Sequence, residues 1–106
     1  MVRYLERAGA NIVATNLRVG HLEIDVVARD GRVIVVVEVR ARGPSAWTTG
    51  FGSLAAAKKR RIRRAAERLW QRRYRHDPSV DRLRIDAASV TFSGDEERVD
   101  YVKAAF

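Results

Sequence analysis

The chain has no cysteine, which excludes a disulfide framework, thiolate zinc sites and a cysteine nucleophile together. Histidine occurs only as His21 and His76, too few to build a zinc site without thiolates. The longest uninterrupted apolar run is Val33 to Val37, far short of the roughly 20 residues a membrane helix needs, and the N-terminus has no apolar leader. A soluble, cytoplasmic protein without a membrane partner is expected. No internal repeat is visible. At 106 residues and 46% apolar composition the chain fits one domain that folds without staples.

Acid is scarce in the middle of the chain. From Arg40 to Arg75 there are 12 Lys or Arg and one acid, Glu67, a net +11, whereas the remainder carries 9 basic and 12 acidic residues, a net −3. Such confinement is the footprint of a polyanionic partner, nucleic acid first. A merely solvated basic helix is the alternative, but ten cations within the eighteen residues from Lys58 to Arg75 repel one another without compensation. An anionic membrane is a poorer match, because that segment shows arginine where a membrane binder would expose a broad apolar face.

Hydrophobic periodicity places a short helix over Met1 to Ala8, stopped by Gly9, and strands over Asn11 to Val19, His21 to Arg29 and Arg32 to Ala41. Asp30-Gly31 reads as a hairpin turn, and the third strand, apolar on both faces, is expected at the sheet centre. Arg42 to Ser53, rich in glycine, serine and threonine, reads as a loop long enough to be mobile, holding Trp47 and Phe51. Leu54 to Arg75 is the one long amphipathic helix, with Ser53 as its N-cap and Leu54, Lys58, Ile62, Ala65, Ala66, Leu69 and Trp70 along its apolar stripe. Two more strands follow, Arg82 to Phe92 and Arg98 to Ala104. The expected architecture is α/β, a mixed sheet of about five strands flanked by helices.

If Asp30-Gly31 forms a two-residue turn, Glu23 lies opposite Glu38, Asp25 opposite Val36 and His21 opposite Arg40, so that His21, Glu23, Asp25, Glu38 and Arg40 share one face with Asp25 diagonal to Glu38. Two carboxylates about 5 Å apart repel by about 3 kcal/mol at an effective dielectric of about 20, which a divalent cation offsets better than Arg40 alone. Oxygen-only ligands from Glu23, Asp25 and Glu38 suit magnesium or manganese. A structural pairing of Glu38 with Arg40 or a helix arginine is the competing reading. Acids interrupting apolar strands beside the most basic helix point to phosphodiester chemistry, with arginines on the flanking phosphates. Lys59, Arg60, Arg61, Arg63, Arg64, Arg68 and Arg72 are the candidate phosphate contacts, and Trp47 could stack on a base.

Glu23-Ile24-Asp25, then Glu38-Val39-Arg40 thirteen residues after Asp25, Lys58 opening a basic helix, and Arg84-Ile85-Asp86 in a late strand resemble the uncharacterised YraN family, a branch of the PD-(D/E)XK nucleases near the Holliday-junction resolvases. The resemblance implies a restriction-endonuclease-like fold, with Asp25 and Glu38 as the metal-binding pair, Arg40 in the lysine position and Lys58 projecting toward the site. It implies a magnesium-dependent, structure-selective DNA endonuclease, and by analogy with resolvases a homodimer. Three departures stand out. Arg40 replaces the superfamily lysine and stays protonated. Leu22 replaces the glycine usual before Glu-Ile-Asp, and the glycine and glutamate of the family's first helix would fall before Met1, so the chain is expected to start late. A non-catalytic DNA- or RNA-binding module that kept the fold, and an interaction domain docking its basic helix on an acidic protein, are the alternatives. Asp86 reads as structural, His21 as a neighbour of the acids, Trp70 as helix core and Tyr74 as its rim.

Overall fold

The computed structural model describes residues 1–41 and 53–106; the segment holding Trp47 and Phe51 lies outside the described residues. The elements run α1 (Val2–Arg7), β1 (Asn11–Val19), β2 (Leu22–Asp30), β3 (Val33–Ala41), α2 (Ser53–Leu69) continued by a π-helical turn (Trp70–Tyr74), β4 (Arg82–Ser93) and β5 (Glu96–Val102). The strands form one mixed five-stranded sheet in the order β1-β2-β3-β4-β5, antiparallel throughout except for the parallel β3–β4 pair that α2 connects. This is an α/β fold with helices flanking the sheet, compatible with a restriction-endonuclease-like architecture. The apolar β3 is central, as its two-faced hydrophobicity requires.

Alternation along β3 builds a core on each side of the sheet. Ile34 and Val36 join Ile62, Ala65, Ala66 and Leu69 of α2, whereas Val35 and Val37 join Leu5 of α1. Helix α1 is short but well stopped. Gly9, at φ +93°, lets its own N–H reach the Glu6 carbonyl and the Ala10 N–H reach the Leu5 carbonyl, a Schellman closure. At the other helix the expected continuous α-helix widens after Leu69, with the Arg75 N–H bonded to the Trp70 carbonyl. This extra residue per turn swings Tyr74 into the core and leaves Trp70 half-buried, the reverse of the core-and-rim assignment made from a 3.6-residue period. Ser53 is the first helical residue, and its side chain lies outside the described residues.

The β2–β3 register differs from expectation by one pair. Asp30 pairs with Val33, so Gly31 and Arg32, not Asp30 and Gly31, form the turn. The reason is the anchoring of Arg32, whose guanidinium binds Asp81 at 2.9 Å and the Pro78 carbonyl at 2.7 Å, while its own carbonyl accepts from the Asp81 N–H. Those contacts hold Arg32 to the α2–β4 connection and out of the strand. Gly31 supplies the left-handed φ of +61° that the first turn position demands. β5 begins at Glu96, two residues before the expected strand, because Gly94 and Asp95 alone turn the chain, Gly94 taking φ +63°.

Candidate functional site: a carboxylate pair where the sheet forks

The β2–β3 ladder stops at the Val26–Val37 pair, while β3 keeps its parallel partner β4 through Ala41 and Val90. The sheet therefore forks just where Asp25 and Glu38 stand. The Asp25 carboxylate occupies the fork by accepting the Val39 N–H at 2.8 Å, in place of a carbonyl from β2. The strands also change face here. Leu22, Ile24 and Val27 all pack in the core under α2, although 24 and 27 have opposite parity, whereas Val26 packs on the α1 side. Across the β1–β2 ladder the register passes from Thr15–Val26 to Leu17–Ile24, and the intervening Asn16, opposite Asp25, takes φ +49°. Asparagine tolerates this conformation better than most residues. The kink in both strands turns the Asp25 carboxylate toward β3.

Glu38 follows Ile34 and Val36 on the α2 face, half-buried. Its Oε1 lies 3.8 Å from Nζ of Lys58, which occupies the apolar stripe one turn before Ile62 and is half-buried itself. Burial first, and then the neighbouring Asp25, push the Glu38 carboxyl above its ordinary value, against the opposing pull of Lys58, Arg40 and Arg61. Arg40 is close enough to act on Glu38 electrostatically from the same strand. A pocket of about 220 Å³ adjoins Glu38, walled by His21, Leu22 and Glu23 on the β1–β2 side and by Glu38, Lys58, Arg61 and Ile62 on the other.

The structure thus brings Asp25, Glu38, Arg40 and Lys58 together, and alters the roles of their neighbours. Glu23 is exposed and stands across the ladder from Arg18, not Glu38. Among the described residues no group of three His, Cys, Asp or Glu gathers into a metal cluster, so the expected third carboxylate is not drawn in. The cause is the register shift, which moves Glu23 away from its expected partner. His21 sits in the Gly20–His21 turn, outside the ladder that was expected to face it with Arg40. Asp25 and Glu38 nonetheless suit a hard divalent cation: both offer oxygen only, and their mutual repulsion is relieved by positive charge.

Helix α2 turns by about 100° per residue, so its cations divide into three sets. Lys58, Arg61 and Arg68 share the flank toward the β1–β2 turn, and Arg72 lies beyond in the π turn. Arg60 and Arg64 point outward, and Lys59 and Arg63 occupy the opposite flank. The contacts agree. Arg61 lines the carboxylate pocket, the Arg68 guanidinium lies so near Gly20 that a Cβ there would come within 2.8 Å of it, and Lys59 Nζ lies 6.0 Å from the centre of the Phe106 ring. Arg60, Arg61, Arg63, Arg64 and Arg72 are exposed, whereas Arg68 is half-buried. Two features had no plain sequence signal. One is the Val39 N–H that holds Asp25; the other is Asn16, whose tolerance of left-handed backbone was the available clue.

Among the described residues no helix is long and apolar enough to cross a membrane. A family model described as uncharacterised protein family UPF0102 matches residues 1–90. A UPF0102 protein of Sorangium cellulosum is 52% identical over 108 residues, covering 100% of this chain and 74% of that protein. A UPF0102 protein of Renibacterium salmoninarum is 40% identical over 101 residues, covering 94% of this chain and 83% of that protein. One from Geobacter metallireducens is 36% identical over 105 residues, covering 99% and 84%. Since the family model covers most of the chain and these relatives align along nearly all of it, the protein belongs to the UPF0102 family, the YraN type.

Proposed function

We propose that the protein binds DNA through α2 and hydrolyses a phosphodiester bond at Asp25 and Glu38, as a magnesium- or manganese-dependent endonuclease selective for DNA structure. The observation that carries this reading is the carboxylate pair at the sheet fork with Lys58, the first cation of the arginine-rich helix, set against Glu38. Asp25 and Glu38 are the residues that would hold the cation, which when bound supplies a polarised phosphate and a more acidic water. The Val39 N–H fixes the Asp25 carboxylate, so the pair meets its ligand already oriented. Lys58 and Arg40 stabilise the negative charge that develops on the phosphate; Arg40 remains protonated and moves no proton. Arg60, Arg64 and their neighbours hold the flanking backbone. Symmetrical cutting of a branched substrate would use two copies of the chain about a two-fold axis.

The test is incubation with branched, duplex and single-stranded DNA, with and without magnesium or manganese. Metal-dependent cleavage is expected, lost in Asp25→Asn and Glu38→Gln while DNA binding persists. Calorimetric titration of manganese should show a site that weakens strongly in both variants. A second reading, a binding module without catalysis, is favoured by the guanidinium at Arg40, and binding without cleavage of any substrate would establish it.

A further inference from the structure

The pocket beside the carboxylates has a charge balance that singles out two of its walls. Glu38 is matched by Lys58 at 3.8 Å, and Glu23, the second acid on the pocket wall, is exposed to solvent and stands across the strand register from Arg18. Arg61 takes part in no ion pair among the described residues, yet it faces the pocket together with His21 from the β1–β2 turn. The pocket floor is apolar, formed by Leu22 and Ile62, both buried. A guanidinium and an imidazole lining one pocket with the apolar Leu22 and Ile62 match the chemistry of a phosphate joined to a sugar. The turn that carries His21 is itself braced, because Gly20 at φ +66° admits the Arg68 guanidinium against it.

Resting on the DNA-binding reading above, we infer that Arg61 and His21 form a subsite for one backbone phosphate, adjacent to the phosphate at Asp25 and Glu38, and so position the strand that is cut. Arg61 supplies charge and two parallel N–H donors, and His21 closes the pocket from the opposite wall. Arg60, Arg63, Arg64 and Arg72 lie on open surface and attract the polymer without fixing any one phosphate, and Arg68 is half-buried against Gly20.

The experiment uses short DNA oligonucleotides in which one phosphate at a time is replaced by a neutral methylphosphonate, with binding measured in the presence of a chelator. In the wild type, one position should weaken binding by about tenfold, and more than its neighbours. In Arg61→Ala that same replacement should have no further effect, and Arg61→Lys should recover only part of the sensitivity, since an ammonium lacks the fork. His21→Ala should reduce the penalty at the same position and no other. Equal and additive penalties at every phosphate in wild type and Arg61→Ala would overturn the subsite while leaving DNA binding intact. Absence of any DNA binding by the wild type would overturn the nucleic-acid reading and the subsite with it. Arg61 and His21 are both exposed, and thermal melting of each variant checks that folding is unchanged.

Discussion

Glu38 is where the physics of folding and of the proposed chemistry oppose each other. Its carboxyl is raised above 4.5 by burial and by Asp25, so folding favours the protonated form. That contribution is complete below the unfolded value and is lost as pH rises through the raised one. Glu38→Gln should therefore melt at a higher temperature than the wild type at about pH 7, and the difference should close below pH 4.5, where both side chains are neutral. Magnesium should then raise the melting temperature of the wild type and not of the variant. Identical melting curves at neutral pH would show that Glu38 ionises in the fold at no cost. Arg40 poses the complementary question. Lysine there is a compact ammonium able to approach the attacked phosphate, whereas guanidinium is broad and fixed in charge. Arg40→Lys should raise metal-dependent cleavage about tenfold or more. Where the wild type already cuts, Lys58→Ala should abolish cleavage with less than about a tenfold loss of DNA affinity, because one cation among many contributes little to binding. If neither the wild type nor Arg40→Lys cuts any substrate while both bind, catalysis is excluded.

At the scale of elements, alternation and amphipathicity made all five strands and both helices legible, because each buries a face whose period is visible in the residues. What escaped was decided by contacts distant in sequence. The β2–β3 register follows Arg32 reaching Asp81 and Pro78, and the exchange of Trp70 and Tyr74 follows a π turn that no local periodicity encodes. The nearness of Asp25 and Glu38 was legible from hairpin parity, and the observed register brings them closer still, whereas the fork between them depends on the kink at Asn16. Asp86 was legible as structural, and the structure shows why. Fully buried on β4, it accepts two bonds from Arg84 at 2.8 and 3.0 Å, the Tyr101 hydroxyl, and the Ala104 N–H at 2.8 Å. Burial and the bond to Asp86 push the Tyr101 hydroxyl far above its ordinary value, keeping it a donor. Ala104 adopts φ +51° to complete the set. Removing the carboxylate strands a guanidinium, a hydroxyl and an N–H in a low-dielectric site. Asp86→Ala should cost about 3 kcal/mol or more in urea unfolding. A cost below about 1 kcal/mol would mean that water replaces the carboxylate.

Across the whole molecule the densest basic cluster and the densest run of acids lie on different elements. Helix α2, which carries the basic cluster, packs over β1, β2 and β4, while Asp95, Glu96, Glu97 and Asp100 lie along the β4–β5 turn and β5, the sheet edge opposite β1. A net charge of +8 therefore acts as a directed field, attracting a polyanion to α2 and away from the acidic edge. Contact with five to eight phosphates should make the logarithm of affinity for duplex DNA fall against the logarithm of salt with a slope of about −5 to −7. Arg60 and Arg64 point outward and are exposed, so Arg60→Ala and Arg64→Ala together should reduce that slope by about 2 and leave the melting temperature unchanged. The loss should be the same for every DNA sequence, because outward cations on open surface contact the backbone. Arg68 would not serve in the same test: half-buried against Gly20, its removal would disturb the β1–β2 turn as well as the field. A slope near zero in the wild type would remove the electrostatic basis for placing nucleic acid on α2. An unchanged slope in the double variant would move the phosphate contacts from the outward face to the flank that holds Lys58 and Arg61, beside the carboxylates.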